Sequence, residues 1–154
     1  MNNLSNSVSA GLIHSYQDFG RRVRALADPL TEEQFWTNPY GYGNSVGNLV
    51  LHLTGNLNYY IGARIAGTGY VRERDLEFTS RLDGRKEEVL NGLDEVVALV
   101  VATLKSQTAE DWTREYSAAG LTDVRDRFDA FVRCASHFHH HIGQMIYLTK
   151  ELAK

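Results

Sequence analysis

Both prolines of this chain, Pro29 and Pro39, fall in one short stretch, so everything else runs without the residue that most reliably interrupts a helix. The long segments left uninterrupted carry apolar residues at three- and four-residue steps, the period of a helix with one buried face. From about residue 4 to 27 the stripe is Leu4, Val8, Leu12, Phe19, Val23 and Leu26. From about 45 to 66 it is Val46, Leu49, Val50, Leu53, Leu57, Tyr60 and Ile61. A third segment, about 85–105, continues it in Val89, Leu93, Val96, Val97, Val100 and Leu104. A fourth, about 123–153, has Val124, Phe128, Phe131, Ala135, Phe138, Ile142, Met145 and Ile146. No alternating pattern of similar length competes, which predicts an all-α fold. Asn44 or Ser45 is placed to cap the second helix and Asp83 the third.

A shorter pattern occurs twice. Residues 30–36 and 107–112 each follow a long helix, carry a threonine near their start and end in tryptophan. Thr31 with Gln34 fits a capping box, and Thr108 has Asp111 close by, so each opens a short helical turn. Long helix, capped turn with Trp and second long helix, twice over, predicts two helical hairpins with short connecting helices, packed as a four-helix bundle. At 154 residues, 43% apolar and 23% charged, the chain has the size and composition of one domain spanning 1–154.

Charge and cysteine content narrow the function classes. The net charge is −3 and the basic residues are scattered, which argues against nucleic-acid or membrane-surface partners. Cys134 stands alone, the N-terminal residues lack a basic start and apolar run, and no apolar stretch is long enough for a bilayer. A cytoplasmic location is the resulting expectation. The charged run 72–78 after Gly67 and Gly69 reads as a surface connection in which Arg74 and Glu77 pair with each other or with water.

Chemistry concentrates in His-Phe-His-His-His, residues 137–141, which holds four of the six histidines. At about 100° per residue, His137 and His141 lie about 40° apart and share a face next to the arc of Phe131, Phe138 and Ile142. His140 turns toward the polar sector of Asp129, Arg133 and Ser136, and His139 points nearly opposite the pair. Two imidazoles one turn apart chelate a divalent ion, but a protein site generally needs a third ligand. His52, flanking the apolar arc of the second helix, is the candidate, with Asn56 one turn later. His14 projects to solvent, and Cys134, one turn before His137, is either an extra soft ligand or a small buried apolar residue.

Three elements together resemble the DinB-like superfamily over essentially the whole chain. They are Ser-Val-Gly-Asn-Leu-Val-Leu-His-Leu around His52, Arg-Glu-Arg-Asp-Leu-Glu-Phe ending at Phe78, and His137-x-x-x-His141-x-Gly143-Gln144. The Gly-Asn after His52 and the Arg-Asp-x-Glu-Phe loop look most like a bacterial subgroup of unsettled activity. The resemblance implies a four-helix bundle, His52, His137 and His141 as metal ligands, and a homodimer. Some relatives are thiol-dependent transferases or isomerases using low-molecular-weight thiols, and others are suspected hydrolases. The expectation is therefore a metal-dependent enzyme acting on a small molecule. Its divalent ion would be zinc or nickel before iron or manganese, since imidazole suits several metals. Asn56 and Gln144 are placed to orient a ligand or bound water, and Tyr16, on the inward face of the first helix, to donate a proton. The competing expectation is a non-catalytic bundle in which the ion only ties helices together.

Overall fold

The computed structural model describes residues 3–80 and 85–154. Its regular structure is helical: α1 (Asn3–Ala27), α2 (Glu32–Trp36), α3 (Val46–Leu57), α4 (Arg74–Thr79), α5 (Lys86–Lys105) and α6 (Arg127–Leu152). A π-helical turn, Asn58–Ala63, extends α3, and a 3₁₀ turn, Asp111–Thr113, precedes α6.

The capping chemistry acts locally as the residues require. Thr31 Oγ1 accepts from the Gln34 N–H at 3.1 Å while the Thr31 N–H donates to Gln34 Oε1 at 2.9 Å, a complete capping box for α2. Ser45 Oγ accepts from the Asn48 N–H at the start of α3. At the second Trp-bearing turn, the Thr108 N–H and hydroxyl both donate to Asp111 Oδ2, at 2.9 and 2.8 Å. The proposed Asp83 cap lies outside the described residues. The last helix starts at Arg127 rather than near 123, because the chain before it is held extended. Glu115 and Asp126 form an antiparallel bridge, the Tyr116 N–H donates to the Arg125 carbonyl, and Asp126 then caps α6.

The long helices do not pair as two hairpins. α1 packs against α5 and α6, and α3 packs against the same two, so consecutive long helices face each other across a diagonal. The Trp-bearing connections cross the ends of the molecule instead of making tight reversals, burying Trp36 and Trp112 as plugs. Directions follow from contacts. Arg24 near the end of α1 meets Glu87 and Asp94 near the start of α5, and Ser9 reaches the Leu104 carbonyl, so these helices are antiparallel. Thr54 lies beside Gly92 and Gly62 beside Leu99, so α3 and α5 run parallel. Parallel neighbours require the chain to travel back along the molecule between them. That return segment lays α4 against α3.

The shared core contains the fully buried Tyr16, Phe35, Leu53, Phe131, Phe138 and Met145. Leu4 and Phe128, expected in the stripes, are 73% and 43% exposed at the end where α1 and α6 begin, beyond the core. No helix among the described residues is long and apolar enough to cross a membrane.

Candidate metal centre

The contact between α3 and α6 brings three imidazoles together. His52 Nε2 lies 3.1 Å from His137 Nε2, and His141 Nε2 lies 3.0 Å from that same atom. One ligand atom from each of the three residues falls within 4.8 Å of the others. Tetrahedral ligands at zinc–imidazole bond lengths of ~2.0–2.1 Å are separated by about 3.3 Å, so the spacing matches adjacent donors on one ion.

Hydrogen bonds on the far sides of two rings decide where their lone pairs point. His52 Nδ1 is 2.9 Å from Glu77 Oε1, and an ionised carboxylate only accepts, so Nδ1 carries the proton and Nε2 the lone pair. His141 Nδ1 is 2.7 Å from Gln144 Oε1, while Gln144 Nε2 faces His140 Nε2 at 3.3 Å. His141 therefore also presents a lone pair. Two lone pairs aimed at His137 Nε2 cannot both receive a linear hydrogen bond from its single proton, whereas one cation satisfies all three nitrogens.

Burial keeps the His137 and His141 rings neutral, as ligation requires. It pushes His137 down to about 3, with help from His141, His52 and Arg72. It pushes His141 down to about 4, partly offset by the Gln144 hydrogen bond.

Glu77 is the residue on which His52 depends. It is 7% exposed and accepts from Arg72 Nε and Nη2, both at 2.8 Å, as well as from His52. Burial works against its charge, but the hydrogen bonds from Arg72 and His52 outweigh it and hold the carboxyl below the usual range. A Cβ on Gly55 would overlap the Glu77 carboxylate, so a glycine on α3 opens the seat. Asn48 Nδ2 donates to the carbonyls of Glu77 and Ser80, fastening α4 to the same helix.

The other sequence candidates separate cleanly. Gln144 reaches His141, and Asn56 is buried in the wall beside His52 with its Oδ1 unpartnered among the described residues. Tyr16 is not brought to the cluster: it is fully buried and donates its hydroxyl proton to the Phe131 carbonyl at 2.7 Å. His14 is exposed. His139 is exposed and stacks on Phe19 of α1 with centroids 5.2 Å apart, and His140 is exposed beside Gln144. Cys134 is buried but outside the three-residue cluster, its thiol pushed up to about 12 by burial.

Two cavities flank the cluster. One of about 790 Å³ is walled in part by His52, Asn56, Tyr60, Arg72, Cys134 and His137. The other, about 420 Å³, includes Tyr40, Leu49, His141, Gln144 and Tyr147.

A family model described as "Protein of unknown function (DUF1572)" matches residues 6–154. The chain belongs to this family. No curated protein matches it.

In this DUF1572 chain the residues beside the histidine cluster that sequence reasoning missed are Arg72 and Glu77. The run 72–78 lies at the surface over residues 73–76, but Arg74–Thr79 is helical, and Glu77 is buried, turned away from Arg74 toward Arg72 and His52. Arg74 instead lies over the Phe78 ring at 5.1 Å. One available signal was Gly55 within an apolar helix, since such a glycine marks a close approach by another group.

Proposed function

We propose that this DUF1572 protein is a metal-dependent enzyme on a DinB-like four-helix bundle forming one domain. In this reading His52, His137 and His141 hold one divalent cation through Nε2, and the substrate is a small molecule. The observation that carries it is the convergence of three ring nitrogens, two of them with lone pairs aimed inward by Glu77 and Gln144, beside a large cavity. Zinc or nickel suits three imidazoles best, and iron or manganese is the alternative.

When bound, such an ion supplies Lewis acidity that allows a water or thiol to lose its proton near neutral pH. The chain's own residues supply the rest. Glu77 fixes the His52 tautomer, Arg72 holds Glu77 ionised, and Gln144 fixes His141. The cavity gives a substrate access to His52 and His137. A purely structural ion would favour a closed set of four protein ligands. Among the described residues the cluster contains three, with Cys134 outside it, which supports the catalytic reading.

The test is turnover of small electrophiles by untagged protein, with and without chelator and with and without an added low-molecular-weight thiol. Turnover requiring both ion and thiol identifies a thiol transferase, and ion-dependent turnover without thiol identifies a hydrolase. Rates unchanged by complete removal of divalent ions would overturn the proposal.

A further inference from the structure

His52 and His137 account for only part of the larger cavity, and the remaining wall has a definite chemistry. It contains three guanidinium groups, from Arg72 and Arg74 on the return segment and Arg133 on α6, and no carboxylate among the described residues. Arg72 is held rigidly: its side chain is 10% exposed, two of its nitrogens are spent on Glu77, and its guanidinium lies 5.6 Å above the Tyr60 ring. Its Nη1 makes no hydrogen bond to a described residue. At the rim, Arg133 Nη1 is bound to Asp123 at 2.8 Å with half the side chain exposed, and Arg74 pairs with no described carboxylate.

The tyrosine-bearing part of the wall is also built rather than incidental. The Tyr59 hydroxyl accepts from the Ala119 N–H at 3.2 Å, and the Tyr60 hydroxyl donates to the Ala119 carbonyl at 3.2 Å, pinning the loop beyond it against the cavity. Gly120 completes that loop at φ +87°, where a Cβ would also press on the Tyr60 hydroxyl. In the wall beside His52 sits Asn56, 6% exposed, with an acceptor oxygen that no described residue satisfies. A buried acceptor without a donor is costly and is relieved by a ligand N–H or O–H.

We propose that this cavity binds a small oxyanion-bearing molecule. Its carboxylate or phosphate is held by Arg72 Nη1 with Arg74 and Arg133, and a hydrogen-bond donor on the same molecule faces Asn56. This deepens the proposed function and rests on it for the claim that the ligand's reactive end faces the histidines. Anion capture itself requires only the arginines. Guanidinium forks match carboxylate and phosphate oxygens, and tyrosine walls suit a flat body between the two ends.

The experiment is a titration of the full chain, followed by amide and arginine side-chain NMR shifts, in zinc-loaded and chelator-treated forms. The probes are benzoate, phenyl phosphate and neutral benzamide. Benzoate or phenyl phosphate is expected to bind at least tenfold more tightly than benzamide and to shift the Arg72 Nε signal, and the tighter of the two names the oxyanion. Arg74→Met combined with Arg133→Met is expected to weaken that binding at least tenfold with zinc stoichiometry unchanged. Benzamide binding as well as benzoate and phenyl phosphate, or double-variant affinity equal to the parent, would overturn the proposal. Anion binding to a chain that takes up no zinc would sink the metal reading while leaving anion capture standing. Zinc uptake with no anion binding would do the reverse.

Discussion

Replacing Glu77 by glutamine changes one charge while nearly conserving shape, and its consequences can be worked from three contacts. The carboxylate accepts from Arg72 Nε, Arg72 Nη2 and His52 Nδ1 at 2.8, 2.8 and 2.9 Å. Hydrogen bonds to a charged group contribute about 1.5–3 kcal/mol and neutral ones about 0.5–1.5, so the His52 bond weakens by about 1 kcal/mol, while Arg72, still charged, loses its counter-charge. The glutamine amide also turns one acceptor into a donor facing a guanidinium or an imidazole N–H. With the Arg72 side chain only 10% exposed, solvent offers little relief. Glu77→Gln is therefore expected to lose about 2–4 kcal/mol of folding stability in urea titration of the metal-free protein. Because His52 loses the partner that orients it, zinc affinity is expected to fall roughly 10–100-fold, read by competition with a chromophoric chelator. Unchanged zinc affinity in a folded Glu77→Gln protein would refute the role assigned to the carboxylate.

Other perturbations separate the parts of the site. Gly55→Ala places a methyl where the Glu77 carboxylate lies, and is expected to lose about 1–3 kcal/mol in urea unfolding together with measurable zinc affinity. Tyr16→Phe removes a buried hydrogen bond to the Phe131 carbonyl, so stability should drop by about 1–2 kcal/mol while zinc affinity and any turnover stay unchanged. The pH dependence follows from the low values of His137, about 3, and His141, about 4, against 6.5 for a free imidazole. Between those limits the unfolded chain binds more protons than the folded one. Metal-free stability is thus fully present above about pH 6.5 and declines as pH falls toward 4 and then 3, which thermal melts across that range would show.

Much of this architecture is legible in the amino-acid sequence because period and spacing are local properties. Helical phase alone groups His137 with His141, turns His139 and His140 away and points to His52, and the structure places those three together. Thr31 and Gln34 announce their own capping box. What the pattern lacks is the identity of each helix's neighbour. An apolar stripe is equally well buried by a hairpin partner or by a helix two elements away, so the diagonal placement of α1 and α3 was not legible. Glu77 was misread for the same reason. Its partner His52 lies twenty-five residues earlier, and they meet only because α3 and α5 run parallel and the chain must return beside α3. Tyr16 was rightly expected inside, but burial does not reveal that the Phe131 carbonyl takes its proton.

The most direct measurement is elemental analysis of untagged protein, purified without chelators and dialysed against metal-free buffer, alongside His52→Ala and His141→Ala. About one divalent ion per chain is expected in the parent, with most of it lost in either variant, because two remaining imidazoles hold an ion far less tightly than three. Full occupancy persisting in both variants, or a parent that retains no ion after zinc or nickel loading, would contradict the three-histidine centre.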